Sequence, residues 1–161
     1  FNHDFDLLWS KSAQATSEVI SVKRDSTFLN WRYFDSPEYH YKIYGAWKKE
    51  SIIGYIVLKF YHNGNEFTGH IIDLLTQTDG QNEIASALIT RAREAFEWQN
   101  IDSVSFWNCE SHPAQSIFDN MGFVKGGFET RFGIRPIDSN FDWPIANPKK
   151  WNLQMAESDA F

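Results

Sequence analysis

The chain has 161 residues, 42% of them hydrophobic and 22% charged, and a formal net charge of −6. This is the composition of one globular domain with a sizeable core, and it excludes a disordered chain. The acidic balance argues against nonspecific nucleic-acid binding, which needs a basic footprint, and no apolar run approaches the roughly 20 residues that span a bilayer.

The lone Cys109 leaves no internal disulfide. With no signal-peptide pattern in view, a reducing, cytoplasmic compartment is the expectation. The first residue is Phe1 rather than Met, so a chain cut from something longer, or processed, is expected, with an upstream domain left open. Aromatic residues make up 17% of the chain, including seven Trp and fourteen Phe. A large core or an apolar groove would absorb them.

Residues 1–30 read as one short helix and a loop, with Leu7, Leu8, Val19, Ile20 and Val22 around a polar middle. A second short helix is expected over 27–33, and Pro37 biases Ser36 away from helix. "YKIYGAWKK" (41–49), "ESIIGYIVLKFYHNG" (50–64) and "EFTGHIIDLLTQ" (66–77) read as three strands of an antiparallel meander. Its turns fall at Lys49-Glu50-Ser51 and at "HNGN", where Asn and Gly tolerate positive φ. Ile52, Ile53, Tyr55, Ile56, Val57 and Leu58 are apolar on both faces, so the second strand should be central and covered on both sides.

"EIASALITRAREAFEW" (83–98) is the clearest helix. Ile84, Leu88, Ala92, Ala95 and Phe96 form its buried stripe, and Asn82 is placed to cap it. "DSVSFWNC" (102–109) is a strand that a right-handed crossover would set parallel and adjacent to 66–77. "HPAQSIFDNMGF" predicts a helix over 112–121, capped by Ser111, with Pro113 in its first turn and Gly122 at the position where only Gly turns left-handed cheaply. Residues 123–136 read as a strand, 137–150 as a Pro-containing surface loop, and the alternating 151–159 as a final strand.

"IDLLTQTDGQNEIASALI" (72–89) and "HPAQSIFDNMGF" (112–123) resemble two segments of the GNAT acyltransferase superfamily. The first is similar to its strand, pyrophosphate loop and helix, and the second to its helix ending in Gly-Phe beneath the acyl-CoA. The resemblance covers roughly residues 40–161. It implies a mixed α+β fold of the α/β type, in which helices flank a mostly antiparallel sheet with a V-shaped splay between two parallel strands. Residues 1–161 would form a single domain, with 1–39 shaping the acceptor side and 40–161 the sheet core.

The implied reaction is transfer of an acetyl group from acetyl-CoA to the amine of a small molecule, an amino sugar or amino acid derivative. Unpaired N–H groups and the partial positive charge at a helix start suit the diphosphate of CoA. The splayed strand edge would pair with the amide-rich pantetheine arm. On this resemblance Leu75, Thr76, Gln77, Gln81, Asn82, Glu83, Ile84, Ala85 and Phe118 are the candidate donor contacts. Aligned without gaps, the family's loop pattern falls on Gly80, Glu83 and Ala85, of which only Ala85 matches; an alternative register starts at Gln77 and puts Gly80 at the central Gly, but ends on Asn82. The family's Tyr, placed to protonate the leaving thiolate, is Phe118 here.

The catalytic candidates are Asp73 and His70. Asp73, within apolar "IIDLLT", is either a base of raised pKa or a carboxylate paired to an Arg. His70, read as opposite Asp73 on the strand, is either a base or a half-buried packing residue. A backbone N–H near Leu75 or Thr76 would hold the oxyanion. Cys109 and His112 are either a nucleophile with its base, or a substitute proton donor, or packing residues. Trp31, Arg32 and Tyr33, with Tyr39 and Tyr41, are either an acceptor slot or structural aromatics around an ion pair. No metal-ligand spacing is present among the five His. The alternative function is a GNAT-fold domain that has lost catalysis and serves as a binding or assembly module of a larger protein.

Overall fold

Three consecutive strands form the meander that the turn signals predict. In the computed structural model, which describes residues 1–12, 19–35, 40–107, 112–126 and 147–158, they are β1 (Tyr41–Lys48), β2 (Ser51–Asn63) and β3 (Glu66–Thr76). Lys49, at φ 55°, and Gly64, at φ 62°, turn the chain between them. Two helices precede the sheet, α1 (His3–Lys11) and α2 (Ser26–Tyr33); α3 (Gln81–Trp98), β4 (Ser103–Phe106) and α4 (Gln115–Asn120) follow it. The strand order is β1-β2-β3-β4, with β4 parallel to β3 through the α3 crossover. None of the described helices is long and apolar enough to cross a membrane.

β2 lies inside the sheet and feeds a core on each face. Ile56 and Leu58 join Ile71, Leu74, Leu88, Phe96, Ile117 and Phe118 under α3 and α4. Tyr55 and Val57 join Leu8, Leu29, Tyr33, Ile72, Leu75 and Met155 under α1 and α2. The α3 stripe is buried as its 3.6-residue period requires, while Arg91–Glu94 and Arg93–Glu97 pair on the exposed side. Phe96 packs directly on the backbone of β3. A methyl group added at Gly69 would meet its ring at 2.4 Å. Gly69→Ala is therefore expected to cost about 1–3 kcal/mol in urea denaturation through overpacking.

Two helix boundaries differ from the sequence expectation. α3 starts two residues early, at Gln81 rather than 83, and Asn82 is an exposed first-turn residue instead of its cap. Gly80, at φ 67°, turns the chain into the helix without a side-chain cap, and its carbonyl accepts from the Ile84 N–H at 3.1 Å. The helix expected over 112–121 is shortened to α4, because Pro113 and Ala114 form a turn before it.

Its end is as predicted. Gly122, at φ 87°, donates to Asp119 O at 3.2 Å, and Phe123 donates to Phe118 O at 3.1 Å, the paired bonds of a Schellman closure. The Phe123 ring meets Phe118 edge-on at 5.0 Å. Residues 123–126 form no strand, and the remainder of the strand expected over 123–136 lies outside the described residues, as do Cys109, the Ser111 cap and Tyr39.

The expected final strand over 151–159 does not form. Trp151 makes one isolated parallel bridge to Ile20, and Met155–Glu157 is a 3-10 turn. The polar residues of that alternation are the ones turned inward, with Asn152 and Gln154 buried. Their side chains, rather than a strand backbone, meet the interior.

Candidate functional site

β3 and β4 are parallel neighbours for only four residues, from Thr68↔Ser103 to Ile71↔Phe106. β3 continues to Thr76. Past Ile71 its outer edge runs on beyond the end of β4 (Phe106) as a wedge-shaped open edge, with the α3 N-terminus beyond it. Leu74, Thr76, Gln81, Ala85, His112 and Ala114 line a small pocket in that wedge.

A bulge decides which groups reach the wedge. Val57 is opposite Asp73 but Leu58 is opposite Ile71, so Ile72 is an extra residue on β3. The phase shifts by one there. Ile71 and Leu74 face α3 and α4, while Ile72 and Leu75 face α1 and α2. Strict alternation would put His70 and Asp73 on opposite faces; the bulge puts them on the same one.

It also sets the backbone. Gln77 N–H donates to Ile53 O of β2 at 2.9 Å, so in the ladder's alternation Asp73 and Leu75 turn their backbone groups to β2, and Leu74 and Thr76 turn theirs to the wedge. Of the two N–H groups expected to hold an oxyanion, Thr76 faces the wedge and Leu75 does not; Leu74 is the group that the sequence reading passed over.

The Leu74 edge is occupied by a side chain. Gln154 Oε1 accepts from Leu74 N–H at 2.7 Å, and Gln154 Nε2 donates to Leu74 O at 3.1 Å. The carboxamide makes on β3 the pair of bonds that a neighbouring strand would make. Beside it, His112 is 4% exposed. Its Nδ1 accepts from Ala114 N–H at 3.1 Å, which leaves the proton on Nε2, and Nε2 has no partner among the described residues. The Gln154 side chain is near enough to favour a charged imidazole but does not bond Nε2. Burial, seconded by the Arg24 charge, pushes His112 down to about 3, so it is neutral near neutral pH.

On the α1/α2 face, Asp73 is fully buried and saturated. Oδ1 accepts from Arg24 Nε at 2.7 Å, and Oδ2 from Tyr33 and Tyr55 hydroxyls at 3.0 and 2.9 Å. Arg24 is itself fully buried and also donates to Glu157 Oε1 at 2.5 Å and to Val22 O at 3.0 Å. Glu157 Oε2 in turn accepts from Gln154 N–H at 2.6 Å. Burial raises Glu157 and both tyrosines, and the Asp73 charge adds to the rise at Tyr33 and Tyr55. The same two carboxylates hold Arg24 above its ordinary value against the cost of burial.

The remaining candidates scatter around this centre. His70, half-buried, pairs through Nδ1 with Ser105 Oγ at 2.8 Å where β3 and β4 are still joined; burial, then Lys59, lowers it. Arg32 donates to Ala156 O at 2.9 Å, Ser158 O at 3.1 Å and Tyr41 Oη at 3.1 Å, holding the C-terminal turn in place. Trp31 is 62% exposed beside Phe28, while Tyr33 is buried on Asp73. Glu83 and Asn82 are exposed at the start of α3; Ile84 and Ala85 are buried beneath it. Gln77 bonds the Asp79 carbonyl at 2.9 Å. Phe118 stacks flat on Phe106 with centroids 4.1 Å apart. Among the described residues, no three His, Cys, Asp or Glu side chains gather as a metal would require.

The family model for the GNAT acetyltransferases matches residues 5–123. The chain belongs to the GNAT acetyltransferase family. No curated protein matches it significantly. Among solved structures, the GNAT fold is shared with a ribosomal-protein-alanine N-acetyltransferase from Brucella melitensis biovar Abortus 2308, at 17% identity and TM-score 0.59, over 83% of this chain and 91% of that one. It is also shared with an aminoglycoside acetyltransferase from an uncultured soil metagenomic sample, solved with sisomicin, at 14% identity and TM-score 0.56, over 84% and 87%. At such identities the likeness is one of fold.

Within this GNAT domain, Arg24, Gln154 and Glu157 stand at the candidate site without having been singled out in the sequence, and Tyr55 reads there only as a strand residue. Tyr55 carries a weak signal, as the one hydroxyl in an otherwise aliphatic run. Arg24 in "VKRD" has none, since the adjacent Lys23 is exposed to solvent.

Proposed function

We propose that the domain transfers an acetyl group from acetyl-CoA to the amine of a small molecule. The observation that carries this reading is the edge of β3 left unpaired by β4 after Ile71, with outward backbone groups at Leu74 and Thr76 and the start of α3 beyond them. Amides of a pantetheine arm suit that edge. Free N–H groups at the α3 N-terminus suit a diphosphate, with Glu83 exposed to solvent rather than turned inward. The thioester carbonyl would lie at Leu74 N–H, a donor that stabilises negative charge as it develops on oxygen. The acceptor amine would approach from the α1/α2 side, past Tyr33 and Arg32.

For the base, Asp73 adjoins Leu74, and His70 is three residues before Asp73 on the same face. Acetyl-CoA titration by calorimetry and thermal shift tests the reading. Binding is expected to stabilise the fold by about 2.7 kcal/mol at a hundredfold excess over Kd. A flat response at millimolar ligand, both in the wild type and in Gln154→Ala, would sink it. With binding established, Asp73→Asn and His70→Ala should lower turnover while leaving affinity in place; unchanged rates in both remove them as bases.

A second reading is a GNAT-fold domain that has lost catalysis and serves as a binding or assembly module of a larger protein. Phe118 favours it, since its ring has no proton to give and is stacked away on Phe106. Under that reading no amine is acetylated, whether or not acetyl-CoA binds.

A further inference from the structure

The Leu74 edge is a station for one carbonyl–amide group, and the chain fills it with its own. We infer that Gln154 is a resident self-ligand of the acyl-donor site, and that the donor enters by displacing residues 152–157. The inference rests on the donor reading above. Three observations carry it.

The first is chemical identity. The donor's thioester offers a carbonyl oxygen and the adjoining pantetheine amide an N–H; the Gln154 carboxamide offers the same pair from one group, and both are spent on Leu74 N–H and Leu74 O. Donor and Gln154 therefore exclude each other at this residue.

The second is incomplete satisfaction. Gln154 leaves the His112 Nε2 proton, buried on the wall of the same pocket, without a partner among the described residues. Such a group costs free energy until something accepts from it. A thioester carbonyl or sulfur at the Leu74 station would accept from Nε2–H. His112 is then a donor-contacting residue whose proton stands in for the hydroxyl that Phe118 lacks. The two side chains are neighbours, with ring centroids 6.3 Å apart.

The third is the means of retention. Gln154 is on a short turn, not on a strand. Its N–H is held by Glu157, which is tied to Arg24, and Arg32 holds the Ala156 and Ser158 carbonyls. The turn is fixed by side chains that can let go without breaking the sheet.

The test measures acetyl-CoA affinity of the wild type and of Gln154→Ala, together with hydrogen–deuterium exchange over 151–158 in the wild type. Removing the self-ligand should tighten binding about tenfold, the worth of its two hydrogen bonds. Saturating acetyl-CoA should speed exchange over 152–158 several-fold, the reverse of the protection that ligands ordinarily confer. Binding by the wild type with exchange over 152–158 unchanged or slowed overturns the inference and leaves the donor reading standing; this measurement does not depend on the variant folding. Affinity unchanged or weakened in a folded Gln154→Ala does the same. Silence from both proteins overturns the donor reading itself. His112→Phe should weaken acetyl-CoA several-fold, and His112→Phe with Phe118→Tyr should recover part of it; no recovery removes His112 from the donor's contacts.

Discussion

Arg24→Leu is expected to destabilise the fold by about 3–5 kcal/mol, the range found when one partner of a buried ion pair is removed. Arg24 and Asp73 both have fully buried side chains, and Glu157 is 12% exposed. Without the guanidinium, Asp73 keeps two tyrosine hydroxyls but loses the Arg24 charge, and Glu157 loses the same partner. Natural domains hold about 5–15 kcal/mol in total, so the loss is a large part of the whole. Urea denaturation at pH 7 measures it. Arg24→Leu combined with Asp73→Asn should recover part of the loss, because the amide oxygen still accepts from Tyr33 or Tyr55 and carries no charge. A single-variant loss under about 1 kcal/mol would mean that water or a rearranged side chain already shields Asp73.

Acid should weaken the protein through His112. An unfolded histidine titrates near 6.5, whereas His112 in the fold is pushed down to about 3. Between those values the native state binds fewer protons than the unfolded chain. The contribution is thus complete above pH 6.5 and is lost as pH falls toward 3. The slope is at most about 1.4 kcal/mol per pH unit, or about 2 kcal/mol between pH 6.5 and 5. His70, also lowered by burial, acts with the same sign. Comparing urea midpoints of wild type and His112→Leu across that window isolates His112, because His70 is common to both. The variant should lose less stability on acidification; parallel curves would place His112 in contact with water.

The three-strand meander, the α3 stripe and the crossover to β4 are legible in the sequence because each rests on a local period or a turn residue with its own physical reason. Gly122 ends α4 for the reason its sequence context suggests. The site is harder to read. Counting alternate residues along "GHIIDLL" sets His70 against Asp73, since a one-residue bulge at Ile72 leaves no compositional mark. "WNLQM" alternates as a strand does, but with Asn152 and Gln154 inward, so the pattern is sound and its phase is reversed. Asp73 offered two readings, base or Arg partner, and the residue that engages it lies 49 positions away, in a segment with no period at all. Long-range polar pairing of this kind is set by the folded surface, not by neighbours in the chain.

The Arg24–Glu157 ion pair joins positions 133 residues apart. Until Glu157 has been synthesised, Arg24 has only part of its counter-charge, and until Gln154 has been synthesised the Leu74 edge of β3 is bare. The sheet can pair from local contacts much earlier, since its meander closes over short turns. On the ribosome, β3 therefore waits with an exposed edge while some eighty further residues are made, an interval of several seconds at ordinary elongation rates. An unpaired strand edge is a template for other chains. The carboxamide that settles on Leu74 last is also what takes that template away.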